Sequence, residues 1–104
     1  MVKHIGQDSF NEEVLNSKGV VVVDFFATWC APCKMLAPVL EELQDEMSNV
    51  SIVKIDVDES PEIATKYGVQ SIPTIKIFKD GADVVTKVGF MPKDSLKEAI
   101  EEVL

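Results

Sequence analysis

Apolar and polar positions along this chain form blocks that predict strands and helices in alternation. The runs at 20–27 (VVVVDFFA) and 50–57 (VSIVKIDV) are rich in β-branched residues, which is typical of strands buried on both faces of a sheet. The segments TIKIF (74–78) and DVVTKV (83–88) flank the pair Asp80-Gly81, which favours a tight turn. These last two segments therefore predict an antiparallel hairpin.

Apolar residues recur at helical spacing in the segments between these strands. In the first such segment Ser9 and Glu12 have the spacing of a capping box, so we expect Asp8 or Ser9 to cap this helix. The longest segment follows the second cysteine, and its apolar positions are Met35, Leu36, Val39, Leu40, Leu43 and Met47. Short and final helices are expected at about 60–68 and at the end of the chain.

The predicted order is a weak first strand, then α, β, α, β, α, β, β, α. Strands that alternate with helices indicate an α/β fold whose parallel sheet carries helices on both faces, and the hairpin adds antiparallel strands at one edge. A length of 104 residues suits one domain with its own core, so residues 1–104 are expected to form a single domain.

Charge and composition exclude several classes of partner. The net charge is −8, with ten lysines and no arginine, which is the wrong sign for a protein that binds nucleic acid or an anionic membrane. No apolar run approaches the roughly 20 residues that span a bilayer, and MVKHIGQDSF lacks the apolar core of a signal peptide. We therefore expect a cytoplasmic protein that acts as a monomer.

The only two cysteines, Cys30 and Cys33, lie where the strand at 20–27 passes into a helix. The carboxyl end of such a strand is where α/β sheets place their sites. A structural zinc site needs about four ligands, and only His4, far away in sequence, could be added, so no metal is expected. A structural disulfide closing so small a loop would stabilise little, and the cytoplasm is reducing, so a redox-active pair is the favoured interpretation.

The position of the two cysteines at a helix start also predicts a different role for each thiol. Cys30 falls in the first turn, where free N–H groups and the helix dipole stabilise a thiolate, and Pro32 is tolerated there. Cys33 lies three residues further on, hence on the same helix face. We therefore assign Cys30 as the attacking nucleophile and Cys33 as the more buried resolving thiol.

Four segments are similar, in sequence and in spacing, to segments of the thioredoxin family. They are VVVDFFATWCAPCKMLAP, YGVQSIPTIKIFKDG, VKIDVDE and KVGF, and the resemblance covers nearly the whole chain. It implies the thioredoxin fold, with a mixed five-stranded sheet of order 1-3-2-4-5 flanked by helices on both faces. It also implies a thiol–disulfide oxidoreductase that reduces disulfides in cytoplasmic proteins. A separate thioredoxin reductase would recharge the dithiol, and no cofactor is expected because GxGxxG and P-loop motifs are absent.

Two positions depart from the family pattern. Ala31 stands where the family usually has glycine, and Phe26 stands where it usually has tryptophan. Alanine has the higher helix propensity, so it could stiffen the turn and move the reduction potential without removing a reactive group. A binding module that merely uses this fold, and an oxidant or isomerase of an oxidising compartment, are the rival interpretations.

Asp24 interrupts an otherwise apolar run, so its carboxyl group is expected to be buried, and burial raises a carboxyl pKa. The resemblance implies that it accepts the proton of Cys33. The alternative is a structural carboxylate that Lys54, on the adjacent strand, neutralises. Lys54 could itself take part in catalysis or be an ordinary solvated residue.

The resemblance further implies a substrate groove beside the cysteines. In it a cis Ile72–Pro73 bond would expose backbone groups for β-like pairing with an extended substrate, although Pro73 could simply mark a strand entrance. Trp29 is expected to face the substrate, although a lone large aromatic residue could also be core. The remaining residues assigned to substrate binding are Ala31, Pro32, Thr74, Val88, Gly89 and Phe90.

Overall fold

The computed structural model describes residues 1–104 and contains one five-stranded sheet of order β1-β3-β2-β4-β5. Its strands are β1 (Lys3–Ile5), β2 (Val20–Phe26), β3 (Val50–Asp56), β4 (Thr74–Lys79) and β5 (Ala82–Val88). β3 runs parallel to both β1 and β2, whereas β4 is antiparallel to β2 and to β5. The α/β class and the strand order that the family resemblance implied are thus confirmed.

Three helical segments connect the strands, and a fourth follows β5. They are α1 (Gln7–Phe10, continued by a π-helical turn over Asn11–Leu15), α2 (Ala31–Glu46), α3 (Pro61–Lys66) and α4 (Lys93–Glu101). None of them is both long and apolar enough to cross a membrane.

The start of α1 differs from its prediction. The cap is Gly6, and no side chain caps the helix. The hydroxyl of Ser9 donates backwards to the carbonyl of Gly6 at 3.4 Å. The predicted capping box at Ser9 and Glu12 is therefore wrong, because Ser9 already lies within the first turn.

Alternate residues of β2 pack into two separate apolar clusters, one on each face of the sheet, which explains why the whole strand is apolar. On one face Val20 and Val22 pack with residues of α2 and α4, including Leu36, Leu40, Leu43, Leu96 and Ile100. On the other face Val21, Val23 and Phe25 pack with Phe10 and Val14 of the first helical segment. Helices therefore cover both faces, as predicted, and Asp24 falls on the face that α2 covers.

One member of the apolar set predicted for α2 is not part of the core. Met35 is exposed, one turn beyond Cys30, whereas Leu36, Leu40 and Leu43 are almost fully buried. An apolar residue just outside the buried stripe of a helix cannot be distinguished from a core residue by spacing alone.

The predicted hairpin turn is confirmed at Asp80-Gly81. Both residues have positive φ, 50° and 83°, as the tight two-residue turns that join antiparallel strands require. A Cβ on Gly81 would collide with the carbonyl oxygen of Leu15, so this position needs glycine. The backbone and side chain of Asp80 also bond to Gly19, which ties the hairpin to the loop before β2.

Candidate active site

The two cysteines lie at the start of α2, just beyond the carboxyl end of β2, and a disulfide joins them with their Cα atoms 5.2 Å apart. Cys30 is the N-cap residue, and its Sγ accepts the N–H of Cys33 at 3.3 Å. The backbone carbonyl of Cys30 accepts the N–H of Lys34 at 3.1 Å. The sulfur of Cys30 therefore sits at the positive end of the helix, where a thiolate is stabilised.

Burial does not distinguish the two thiols in this oxidised state. Each cysteine is 4% exposed, so the expectation that Cys33 is the more buried is not met. What separates them is their surroundings. The Sγ of Cys30 lies 3.7 Å from the carbonyl oxygen of Ile72, whereas Cys33 lines an internal cavity that also contains Asp24.

The segment before β4 brings a second stretch of backbone to the disulfide. The Ile72–Pro73 peptide bond is cis, as the resemblance implied. The carbonyl of Pro73 accepts the N–H of Gly89 at 2.8 Å, and Thr74 pairs with Val88 in the sheet. The structure thus brings residues 72–74 and 88–89 together beside Cys30.

The backbone of Gly89 has φ 94°, a left-handed conformation that favours glycine. A Cβ at this position would meet nothing within 4 Å, so the backbone conformation, not crowding, explains the glycine.

A rim of exposed apolar side chains surrounds this junction. Trp29 is 68% exposed and Val88 63% exposed, and Phe90 is exposed as well. Ala31 and Pro32, the first two residues of α2, are exposed beside them. Large apolar side chains this exposed are typical of a binding surface and exclude the alternative that Trp29 belongs to the core.

Trp29 is held in place by a residue that the sequence analysis did not single out. Its indole Nε1 donates to Oδ2 of Asp58 at 2.8 Å. Asp58 follows β3, which lies next to β2 in the sheet. The signal that could have identified it is an acidic residue just past the carboxyl end of a strand neighbouring the cysteine strand.

Two of the predicted groove residues lie below the surface. Pro73 and Thr74 are both buried, and the hydroxyl of Thr74 donates to the carbonyl of Ser71. Their side chains therefore shape the turn before β4, while the exposed part of this segment is Ser71 and the half-buried Ile72.

Asp24 is buried in the middle of β2, between Lys54 of β3 and Ile75 of β4. It is 3% exposed, and its Oδ1 has no hydrogen-bond partner. Burial raises the pKa of Asp24 to about 7, and the positive charge of Lys54 opposes this rise in pKa without cancelling it. A carboxyl group with such a pKa can exchange a proton near neutral pH.

Lys54 does not form an ion pair with Asp24. The side chains that pair within 4.0 Å do not include these two. The Nζ of Lys54 lies over the ring of Phe26 instead, 5.5 Å from its centroid, in a cation–π contact. The interpretation of Asp24 as a directly neutralised structural carboxylate therefore has no support in the geometry.

A cavity of about 40 Å³ connects the surroundings of Cys33 and Asp24. Its volume is large enough for a water molecule. The residues that line it are Val2, Asp24, Phe26, Cys33, Ala37, Leu40, Glu41 and Lys54. No group of three or more His, Cys, Asp or Glu residues that could hold a metal ion occurs in the chain.

Comparisons with known proteins agree with one another. The family model described as Thioredoxin matches residues 1–102. The chain is 58% identical over 97 residues to a thioredoxin of Bacillus subtilis (strain 168), covering 92% of this chain and 91% of the relative. It is 52% identical over 103 residues to one of Listeria monocytogenes and 50% identical over 102 residues to one of Chlamydia muridarum. Each of these last two alignments covers 98% of both chains.

Proposed function

Because this chain belongs to the thioredoxin family and is a thiol–disulfide oxidoreductase, we propose that Cys30 attacks the disulfide of the target protein and Cys33 resolves the intermediate. The enzyme is a protein disulfide reductase that acts on disulfide-containing substrates and is recharged by thioredoxin reductase. One observation carries the assignment of roles: Cys30 caps α2 beside the Ile72 carbonyl, whereas Cys33 faces the cavity of Asp24.

The reaction has two exchange steps. The thiolate of Cys30 attacks one sulfur of the target disulfide, forms a mixed disulfide, and releases the other target sulfur as a thiolate that takes up a proton. The thiol of Cys33 then loses its proton, and its thiolate attacks the sulfur of Cys30. The target leaves with both sulfurs reduced, and Cys30 and Cys33 are left oxidised as one disulfide.

Asp24 is the proton acceptor for the second step in this proposal. It shares a cavity with Cys33, and its pKa of about 7 leaves a substantial fraction of the carboxylate free to take a proton at neutral pH. Lys54 lines the same cavity and stabilises the carboxylate form through its charge, so its contribution to the reaction would be indirect.

The substrate is proposed to lie across Trp29, Val88 and Phe90, with its backbone paired to Ile72. The N–H of Ile72 serves no helix, strand or turn within the chain, so an extended peptide could pair with it. Ala31, Pro32, Pro73, Thr74 and Gly89 shape this groove through their backbone positions. Because every peptide offers the same backbone groups, such pairing suits a reductase with many protein substrates.

Replacing each cysteine with serine tests the assignment. Cys33→Ser should accumulate stable mixed disulfides with an oxidised protein substrate such as insulin, because the nucleophile remains and the resolving thiol is gone. Cys30→Ser is the matched control and should form none. Mass spectrometry of the trapped species measures both, and trapping by Cys30→Ser instead would reverse the two roles.

We also propose that the protein works as a monomer in the cytoplasm without binding nucleic acid or membranes. A net charge of −8 supports the absence of binding to phosphate backbones and anionic lipids. A dithiol that must return to its reduced form after each cycle suits a reducing compartment. Light scattering at micromolar concentration and cell fractionation would test the two main parts, and a dimer or a membrane-bound pool would contradict them.

A further inference from the structure

The cavity between Cys33 and Asp24 shares part of its lining with a groove at the surface. Val2, Glu41 and Lys54 line this cavity and also line an outer groove of about 530 Å³. The groove is completed by Met1, Lys3 and His4 at its solvent side. The three shared residues therefore lie between the groove and the cavity, and we call them the mouth of the Asp24 cavity.

Val2 closes this mouth from the segment that precedes β1. It is 5% exposed and packs in the apolar cluster beneath α2 and α4. The N–H of Val2 donates to Oε1 of Glu41 at 3.1 Å, a contact that spans 39 residues of sequence. Since β1 begins only at Lys3, the Glu41 carboxylate fastens the chain at the point where no strand pairing has yet begun.

We propose that Glu41 is a positioning residue that holds Val2 across the mouth of the Asp24 cavity and so limits the access of water to the Asp24 carboxyl group. The inference rests on the role proposed above for Asp24, because it concerns how the proton acceptor of Cys33 is kept in its working state.

Glu41 acts by holding Val2 in position and not through its own charge. In the oxidised protein the titratable groups that line the cavity besides Asp24 are Glu41 from α2 and Lys54 from β3. Cys33 is disulfide-bonded and has no ionisable thiol, and β4 places the apolar Ile75 beside Asp24. Burial is the main cause of the raised pKa of Asp24, and the one charge that perturbs it is that of Lys54. A cover that keeps water out therefore acts on the larger cause.

The test is the titration of the Asp24 carboxyl group in the oxidised protein, followed by carboxyl carbon chemical shift. Glu41→Ala removes the acceptor for the Val2 N–H, so water enters and the Asp24 midpoint should fall by about one pH unit. Glu41→Gln keeps an acceptor oxygen while removing the charge, and it should leave the midpoint unchanged. Glu42→Ala, a neighbouring exposed carboxylate on the same helix, is the matched control and should also leave it unchanged.

A second variant opens the mouth from the other side. Val2→Ala shortens the side chain that covers the mouth but keeps the backbone N–H that donates to Glu41. It should also lower the Asp24 midpoint. A midpoint in Glu41→Ala or Val2→Ala equal to that of Glu42→Ala would overturn the proposal. A shift in Glu41→Gln as large as in Glu41→Ala would also overturn it, because the charge would then be the cause.

Single-turnover reduction of insulin separates this inference from the proposed role of Asp24. In Glu41→Ala the pH profile of mixed-disulfide resolution should move to lower pH together with the Asp24 midpoint. If the midpoint moves and the rate profile does not, Glu41 covers the cavity as proposed and Asp24 is not the proton acceptor. If the midpoint stays in place, the cover is refuted whatever the rates show.

Discussion

Two carboxyl groups of neighbouring strands are almost equally buried but lie in different surroundings. Asp24 of β2 is 3% exposed and Asp56, the last residue of β3, is 5% exposed. Oδ1 of Asp56 accepts the N–H groups of Asp58 at 2.8 Å and of Glu59 at 3.4 Å. Oδ1 of Asp24 accepts none. Burial alone therefore does not distinguish the two carboxyl groups, whereas the supply of hydrogen-bond donors does.

The position of each residue within its strand explains this difference. Asp56 stands where β3 ends and the chain turns, so the N–H groups that follow are not used by a sheet and can bond to its side chain. Asp24 stands within a strand that is paired on both sides, and the neighbouring N–H groups serve the sheet. Asp24, in the middle of a central strand, therefore has no backbone donor for its Oδ1, whereas Asp56, at a strand end, becomes part of a turn.

The first expected difference between the two sites is in the reaction rate. Asp24→Asn should slow the resolution of mixed disulfides about tenfold or more at pH 7–8, because Cys33 loses its proposed proton acceptor. Asp56→Asn, which keeps an acceptor oxygen for the turn, is the matched control and should change this rate less than about twofold. Single-turnover kinetics with insulin measure both variants. Equal rates in the two variants would show that Asp24 takes no part in the reaction and does not differ from Asp56 in this respect.

The second expected effect of Asp24 is on how the free energy of unfolding depends on pH. Its pKa is about 7 in the folded protein against an ordinary 3.8, so the folded state holds this proton more tightly than the unfolded chain. The contribution of Asp24 to the free energy of unfolding is therefore fully present below the ordinary pKa and is lost as the pH rises through the folded value.

Asp24→Asn should remove that fall, and at pH 8 the variant should be more stable than the parent by roughly 2–4 kcal/mol. Denaturant unfolding of the oxidised proteins from pH 4 to pH 9 provides the comparison. An Asp24→Asn protein that is less stable at pH 8 would mean that the carboxylate has a strong partner after all.

A substitution of Asp56 should lower the stability of the protein, whereas that of Asp24 should raise it. Asp56→Ala leaves two N–H groups of the turn without an acceptor and should lower the free energy of unfolding by about 1–3 kcal/mol. Asp56→Asn should recover most of the loss, because its amide oxygen can accept the same bonds. Denaturant unfolding at pH 7 measures both, and a loss in Asp56→Asn as large as in Asp56→Ala would show that charge matters more than the two bonds.

The smallest effect concerns Lys54. Its charge lowers the pKa of Asp24, so Lys54→Gln should raise the Asp24 midpoint further, by less than about one pH unit. Lys66→Gln, a lysine that lies over Tyr67 outside the cavity, is the matched control and should leave the midpoint in place. Carboxyl chemical shifts report the midpoint. No change in Lys54→Gln would limit the role of Lys54 to its packing on Phe26.

Several features of the fold and of the active site follow from residues that are close together in the sequence. The apolar run at 20–27, the hairpin pair Asp80-Gly81 and the cysteine spacing at a helix start each depend on neighbouring residues, and the structure confirms them. The buried position of Asp24 also followed from its apolar neighbours. Such features are readable in sequence because strand alternation, turn conformation and helix capping are set within a few residues of chain.

Contacts between side chains that are distant in sequence depend on the tertiary structure. It left Asp24 without a partner, placed Asp58 on Trp29, made the two cysteines equally buried, and left Met35 exposed. It also joined Val2 to Glu41 across 39 residues. These contacts depend on how β2, β3 and α2 pack against one another, so their energies come from residues distant in sequence, which no local pattern records.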